Sequence, residues 1–117
     1  DSSFDRSGEF ARIARALKEA HQRWPTGMFA VWYPLMAPAA MRGFDRDVQK
    51  TGIGKILRLE LLVRKRDADT AIPGCGTLVV NPPWKFESEA RPLLDWIWRA
   101  LTPDGAGGVK VDWLVPE

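Results

Sequence analysis

Asn81-Pro82-Pro83-Trp84 close an apolar run, Leu78-Val79-Val80, and combine a side-chain amide, two rigid backbone positions and a flat indole. A strand of that kind delivers Asn81 to a sheet edge, and α/β proteins bind ligands outside the carboxyl ends of their strands. The two prolines stiffen the turn that follows. An extruded nucleobase needs hydrogen bonds to its edge and an aromatic surface to stack on. An amide, a rigid backbone and an indole supply these together, so the chemistry this set suits is the holding of an extruded base. The same residues also suit a strand-ending loop in which Pro82-Pro83 stop the ladder and Trp84 packs on a neighbouring helix.

Other reactive side chains form no comparable set. His21 has no second histidine and Cys75 no second cysteine, which argues against a zinc or non-haem iron site and against an internal disulfide. Cys75 is expected to pack as a small apolar residue, and His21 to lie on the surface near a helix end. Gly52-Ile53-Gly54-Lys55 precedes a strand and lacks the spacing of a phosphate loop, so it reads as a turn. Basic residues recur on single helix sides, with Arg12, Arg15 and Lys18 on one and Arg42, Arg46 and Lys50 on another. Arg64-Lys65-Arg66 at a hairpin tip are the best candidates for nucleic-acid phosphate contacts.

The elements that must position these groups alternate between helix and strand. Phe10, Ile13, Ala14, Leu17 and Ala20 repeat at helical spacing, with Ser7 a candidate cap and Pro25-Thr26-Gly27 the stop. Met28–Tyr33 is apolar throughout and ends at Pro34, the pattern of an interior strand covered on both faces of a parallel sheet. Pro38 suits a helix start, Met41, Phe44 and Val48 mark one face, and Gly52 suits the carboxyl-terminal cap. In Ile56–Arg64, Leu57, Leu59, Leu61 and Val63 alternate with Arg58, Glu60 and Arg64, which predicts a half-exposed strand. The polar segment 65–74 turns the chain back into a strand over Cys75–Val80, forming a hairpin. Phe86, Ala90, Leu94, Ile97 and Leu101 make a third helical stripe, with Ser88 a candidate cap and Pro92 in the first turn. Gly105–Gly108 connect to a last strand, in which Val109, Val111, Trp113 and Val115 share a face.

Composition fits a folded globular domain: 45% of residues are apolar and 27% charged. No apolar run approaches the roughly 20 residues of a membrane span, and no signal peptide is apparent, so a cytoplasmic setting is expected. A net charge of +2 is weak support for nucleic-acid binding. Six tryptophans in 117 residues are a heavy load of aromatic surface, which prefers a partner to cover it.

Five segments carry a resemblance to a known family: Arg23-Trp24-Pro25-Thr26-Gly27, Val31-Trp32-Tyr33-Pro34, Thr51 to Leu57, Val80 to Lys85 and Trp113 to Glu117. In order and approximate spacing they resemble the RlmJ-type methyltransferases, bacterial enzymes that methylate N6 of an adenine in 23S ribosomal RNA. The resemblance implies the carboxyl-terminal part of an S-adenosylmethionine-dependent domain, whose amino-terminal part with most of the cofactor pocket lies outside these residues. The implied fold is α/β, the second half of a doubly wound Rossmann-like sheet, mostly parallel with a carboxyl-terminal antiparallel hairpin. The family's catalytic Asp-Pro-Pro-aromatic motif falls on Asp1-Ser2-Ser3-Phe4, where Asp1 and Phe4 match and both prolines are absent. This makes Asp1 the implied acceptor for the amine hydrogens and Phe4 the stacking ring, with Asn81 to Trp84 as the second candidate loop. Ribosomal RNA, S-adenosylmethionine and the missing half of the domain are the implied partners, and the chain alone is expected to be inactive. A non-catalytic binding or interaction module, or part of a DNA adenine methyltransferase, are the alternatives.

Overall fold

The computed structural model describes residues 6–64 and 73–116, with side chains in the first helix from Gly8 onward. In chain order the elements are α1 (Arg6–Arg23), β1 (Phe29–Pro34), α2 (Pro38–Lys50), β2 (Ile56–Leu62), β3 (Gly74–Val80), α3 (Phe86–Leu101) and β4 (Gly108–Val115). The strands form one sheet in the order β1-β3-β2-β4. Its two faces carry separate cores. Phe10, Ala14 and Leu17 of α1 and Met41, Phe44 and Val48 of α2 pack with Tyr33, Ile56, Leu78 and Val80. On the other face, Phe86 and Leu94 of α3 pack with Leu57, Val79 and Val111. Pro38 opens α2, and Gly52 follows its cap with φ 80°, both as their residue types dictate.

The layered α/β class is as expected, but the sheet is not mostly parallel: every paired neighbour is antiparallel. The cause is the β2–β3 hairpin. β1 and β2, joined through α2, point the same way, and β3 folds back between them, so each bonds to β3 and neither to the other. β1 is therefore an edge of this sheet, not an interior strand. Phe29, Val31 and Tyr33 face the α1–α2 core, while Ala30 and Trp32 are exposed, Trp32 at 60%. Uniform apolarity suggested two covered faces, yet α3 packs over β2 and β4.

β2 also departs from its half-exposed reading. It ends at Leu62, is central in the sheet, and buries Glu60. A register shift after Ile56 lets Leu114 and Val115 both serve the α1–α2 core, so Val115 does not share the face of Val109, Val111 and Trp113. In α3 the residue before the helix is Lys85, and the Ser88 hydroxyl donates to the Lys85 carbonyl at 2.9 Å, so Ser88 is not the cap. Pro92 is the seventh helical residue and sits in the second turn, tolerated on an exposed side where the unmatched Ser88 carbonyl can meet water.

Candidate nucleic-acid interface

Asn81 leaves β3 in the left-handed region, with φ 56°. Its backbone N–H donates to the Lys55 carbonyl at 3.0 Å. Its side-chain Nδ2 donates to the carbonyls of Pro25 at 3.2 Å and Gly27 at 2.9 Å. The amide thus clips the α1–β1 turn to the end of β3, and both of its N–H groups are used in doing so. Pro82 is buried and Pro83 exposed. Trp84 stands 84% exposed, with the Lys85 ammonium 4.5 Å from its ring centroid.

Beside Trp84 lies a cavity of about 420 Å³, bounded among others by Lys55, Pro83, Lys85, Glu87 and Trp113. Its size falls within the range of ordinary ligand pockets, roughly 300–1,000 Å³. One wall is fixed by the Trp113 indole N–H, which donates to Glu87 Oε1 at 3.0 Å. The Lys55 N–H donates to the Pro116 carbonyl at 3.2 Å and closes the floor. The non-glycine residues with positive φ among those described are Lys55 at 58°, Asn81 at 56° and Lys85 at 69°; Lys55 and Lys85 line this cavity, and Asn81 precedes its Pro82 wall. Asparagine tolerates that region, lysine much less so.

The cavity lies at the end of the sheet where β1 and β2 begin. Asn81 is indeed at the carboxyl end of its own strand, but β3 runs against β1 and β2. Arg64 is exposed beyond the other end of β2. The helix α1 runs antiparallel to β1, since Phe10 meets Tyr33 at 6.4 Å between ring centroids and Trp24 meets Phe29 at 5.9 Å. Its first residue, Arg6, therefore lies toward the Pro34 end, at the far end of a helix about 27 Å long at 1.5 Å per residue over its 18 residues. The structure does not bring Asn81–Trp84 together with Arg64 or with the start of α1. Asp1, Phe4, Lys65 and Arg66 lie outside the described residues, as does the Ser7 side chain. Of the basic helix sides, Arg15, Lys18 and Lys50 converge on a groove between α1 and α2. Cys75 is a half-buried free thiol.

A buried polar network escaped the sequence reading. Tyr33 Oη donates to Glu60 Oε2 at 2.9 Å beneath α2. Burial first, then the Glu60 carboxylate, pushes the Tyr33 phenol far above its ordinary range, so it stays a donor. Arg58 grips Asp112 with two bonds, at 2.9 and 2.7 Å, and reaches Asp45 at 2.8 Å. The hydrogen bond to Asp112 raises the guanidinium further, and the same bond holds the Asp112 carboxyl below the usual range. The signal was present, since Arg58 and Glu60 alternate with leucines, but charge in that register also describes a solvated face.

The whole chain shares its pattern with known proteins. The family model described as ribosomal RNA large subunit methyltransferase D, RlmJ, matches residues 1–115. The chain belongs to this family. Ribosomal RNA large subunit methyltransferase J of Haemophilus influenzae is 31% identical over 117 residues, covering 100% of this chain and 42% of the relative. The protein of the same description from Escherichia coli is 32% identical, with the same coverage. A Legionella pneumophila protein known from its crystal structure aligns with a TM-score of 0.81 at 29% identity, over 97% of this chain and 41% of that one. The chain therefore spans less than half the length of these RlmJ relatives. Membership of the RlmJ family is what the five spaced segments implied, and the match over 1–115 bears it out.

Proposed function

We propose that this chain is the carboxyl-terminal part of a single-domain, S-adenosylmethionine-dependent methyltransferase acting on N6 of an adenine in 23S ribosomal RNA. The observation that carries the reading is the family match over 1–115, joined to a coverage of only 42% of the curated relatives. The exposed surface supports it. Among the described residues one edge of β1 is unpaired, and Trp32, Leu93 and Trp96 are exposed at 60, 57 and 68%, apolar surface of the kind a larger domain covers.

In this reading the Asp1 carboxylate accepts hydrogens from the adenine amine, favouring pyramidalisation and keeping the nitrogen lone pair aimed at the incoming methyl group. Phe4 stacks on the base. Both roles are positioning and electrostatic rather than covalent. S-adenosylmethionine supplies the methyl group as an electrophilic sulfonium. The carboxyl end of β1 does not suit its binding: Pro34, Leu35 and Met36 are buried, and none of the three carries a charge to hold an amino acid or ribose group. In this reading most of the cofactor pocket belongs to the part of the relatives this chain does not cover.

The test is methyl transfer from labelled S-adenosylmethionine to unmodified 23S ribosomal RNA by the full-length protein, read as N6-methyladenosine. Transfer to no ribosomal RNA would remove the proposal; transfer to DNA instead would favour the alternative substrate. A second prediction concerns Arg64, Lys65 and Arg66. Changing all three to alanine in the full-length protein should weaken RNA binding severalfold and flatten its salt dependence, because phosphate contacts release counterions. Identical binding curves across several salt concentrations would remove these residues from the RNA contact.

A further inference from the structure

We infer that the cavity between α2 and the β2–β4 side of the sheet reads the sugar of an RNA strand, with the Glu60 carboxylate accepting from a ribose 2′-hydroxyl and Arg42 and Lys110 holding the adjoining phosphate. The inference rests on the reading of this chain as part of an RNA methyltransferase, and it names the feature by which that protein tells RNA from DNA. The cavity measures about 350 Å³, and Arg42, Asp45, Arg58, Glu60 and Lys110 are among the residues that line it. That size suits a ligand pocket, roughly 300–1,000 Å³.

The acceptor is built into the fold. Glu60 is 8% exposed, and its Oε2 accepts the Tyr33 hydroxyl at 2.9 Å. No described group donates to Oε1, and no buried side-chain oxygen among the described residues lacks a partner, so Oε1 faces the cavity and not the packed interior. Two cations stand beside it. Lys110 is directly opposite Glu60 on β4, and the Cβ atoms of such facing residues lie about 5 Å apart. Arg42 approaches from α2. Both are exposed, and neither forms an ion pair with a described residue, whereas Arg58 is already committed to Asp45 and Asp112.

An acceptor flanked by two unpaired cations suits a ligand that carries a hydroxyl next to an anion. In RNA the 2′-hydroxyl and the 3′-phosphate sit on neighbouring carbons of one ribose. A free phosphate brings nothing for Glu60 to accept, a neutral sugar brings nothing for the cations, and DNA keeps the phosphate but lacks the donor. The 2′-hydroxyl is the group by which a protein distinguishes RNA from DNA at a given site. The location agrees. Leu62, the last residue of β2, and Pro38, the first of α2, also line the cavity, so it lies at the end of the sheet where β1 and β2 finish. Arg64 lies beyond that end of β2, and α1 begins toward it. These are the regions to which the proposed function assigns phosphate and base contacts.

The experiment titrates the full-length protein into a labelled single-stranded oligoadenylate, read by fluorescence anisotropy, and into the same sequence as DNA and as 2′-O-methyl RNA, neither of which has a 2′-hydroxyl to donate. The parent protein should bind RNA more tightly than either. Glu60→Gln keeps an amide oxygen for the Tyr33 phenol and turns the cavity-facing group into a donor. It should narrow the gap between RNA and 2′-O-methyl RNA roughly fivefold, the effect of one hydrogen bond. The gap is a ratio of affinities within one protein, so a loss of folded protein does not move it. Arg42→Gln and Lys110→Gln should each lower the slope of log affinity against log salt by roughly 0.7. A parent protein that binds the three strands equally, a Glu60→Gln gap as wide as the parent's, or unchanged salt slopes in both cation variants overturns the inference. Methylation of 23S ribosomal RNA by the parent protein is scored separately. Its absence would remove the proposed function, whereas methylation with an unchanged gap would remove this inference alone.

Discussion

Gly76→Ala in the full-length protein is expected to cost about 3 kcal/mol of folding stability, the upper end of the range for overpacking a filled core. Tyr33, Gly76 and Glu60 lie in register across three adjacent strands, β1, β3 and β2. The Tyr33 ring crosses over Gly76 to reach Glu60. A Cβ at position 76 would sit 2.4 Å from Tyr33 Cζ and 2.5 Å from its hydroxyl oxygen. The ring cannot retreat, because it is 1% exposed and packed against Phe44 at 5.1 Å and Phe10 at 6.4 Å between centroids. If it did swing away, the Glu60 carboxylate, 8% exposed, would lose its phenol donor. Urea unfolding is the measurement, with Gly108→Ala as the control, since a Cβ there meets nothing within 4 Å. A Gly76→Ala protein as stable as that control would show that the row is looser than its geometry.

The second large effect is expected for Arg58→Met. The guanidinium side chain is 11% exposed and holds Asp112 and Asp45, whose side chains are 39% and 29% exposed. Removing it leaves two carboxylates facing each other's field without a cation. Losing one partner of a fully buried pair costs about 3–5 kcal/mol; solvent screening at Asp112 lowers the expectation here to about 2–3 kcal/mol. The pH dependence distinguishes this from lost packing. The Asp112 carboxyl is held low first by its hydrogen bond from Arg58, and a depressed folded-state value contributes stability above the unfolded value, near 3.8, that is lost as pH falls through the folded one. The gap between parent and Arg58→Met should therefore be widest near neutral pH and narrow below about pH 4. A gap of constant size from pH 7 to pH 3 would assign the effect to packing alone.

Much of the fold is legible from residue order. The three helical stripes, the Pro38 start, the Gly52 stop and the β2–β3 hairpin follow from spacings of a few residues, which propensity and turn chemistry govern. Buried Phe10, Ala14, Leu17, Met41, Phe44 and Val48 sit where the stripes put them. Local signals failed where a neighbour from far along the chain decides. Nothing in Met28–Tyr33 says that β3 will insert beside it, or that α3 will cover β2 and β4 rather than Trp32. Arg58 and Glu60 read as solvated because their partners, Asp112 and Tyr33, lie 54 and 27 positions away.

The candidate site divides in the same way. That Asn81, two prolines and Trp84 form a stiff loop bearing an exposed-capable ring is contained in four consecutive residues, as is membership of the RlmJ family in five spaced segments. Which end of the sheet the loop occupies, that the Asn81 amide serves the turn at Pro25 and Gly27, and that Lys55, Lys85 and Trp113 gather beside Trp84 are matters of strand direction and long-range packing. Spacing along a chain encodes periodicity and turns, because those interactions span a few bonds. The meeting of residues from separate elements depends on the order in which strands pair, and that order is set by the competition among whole faces for burial.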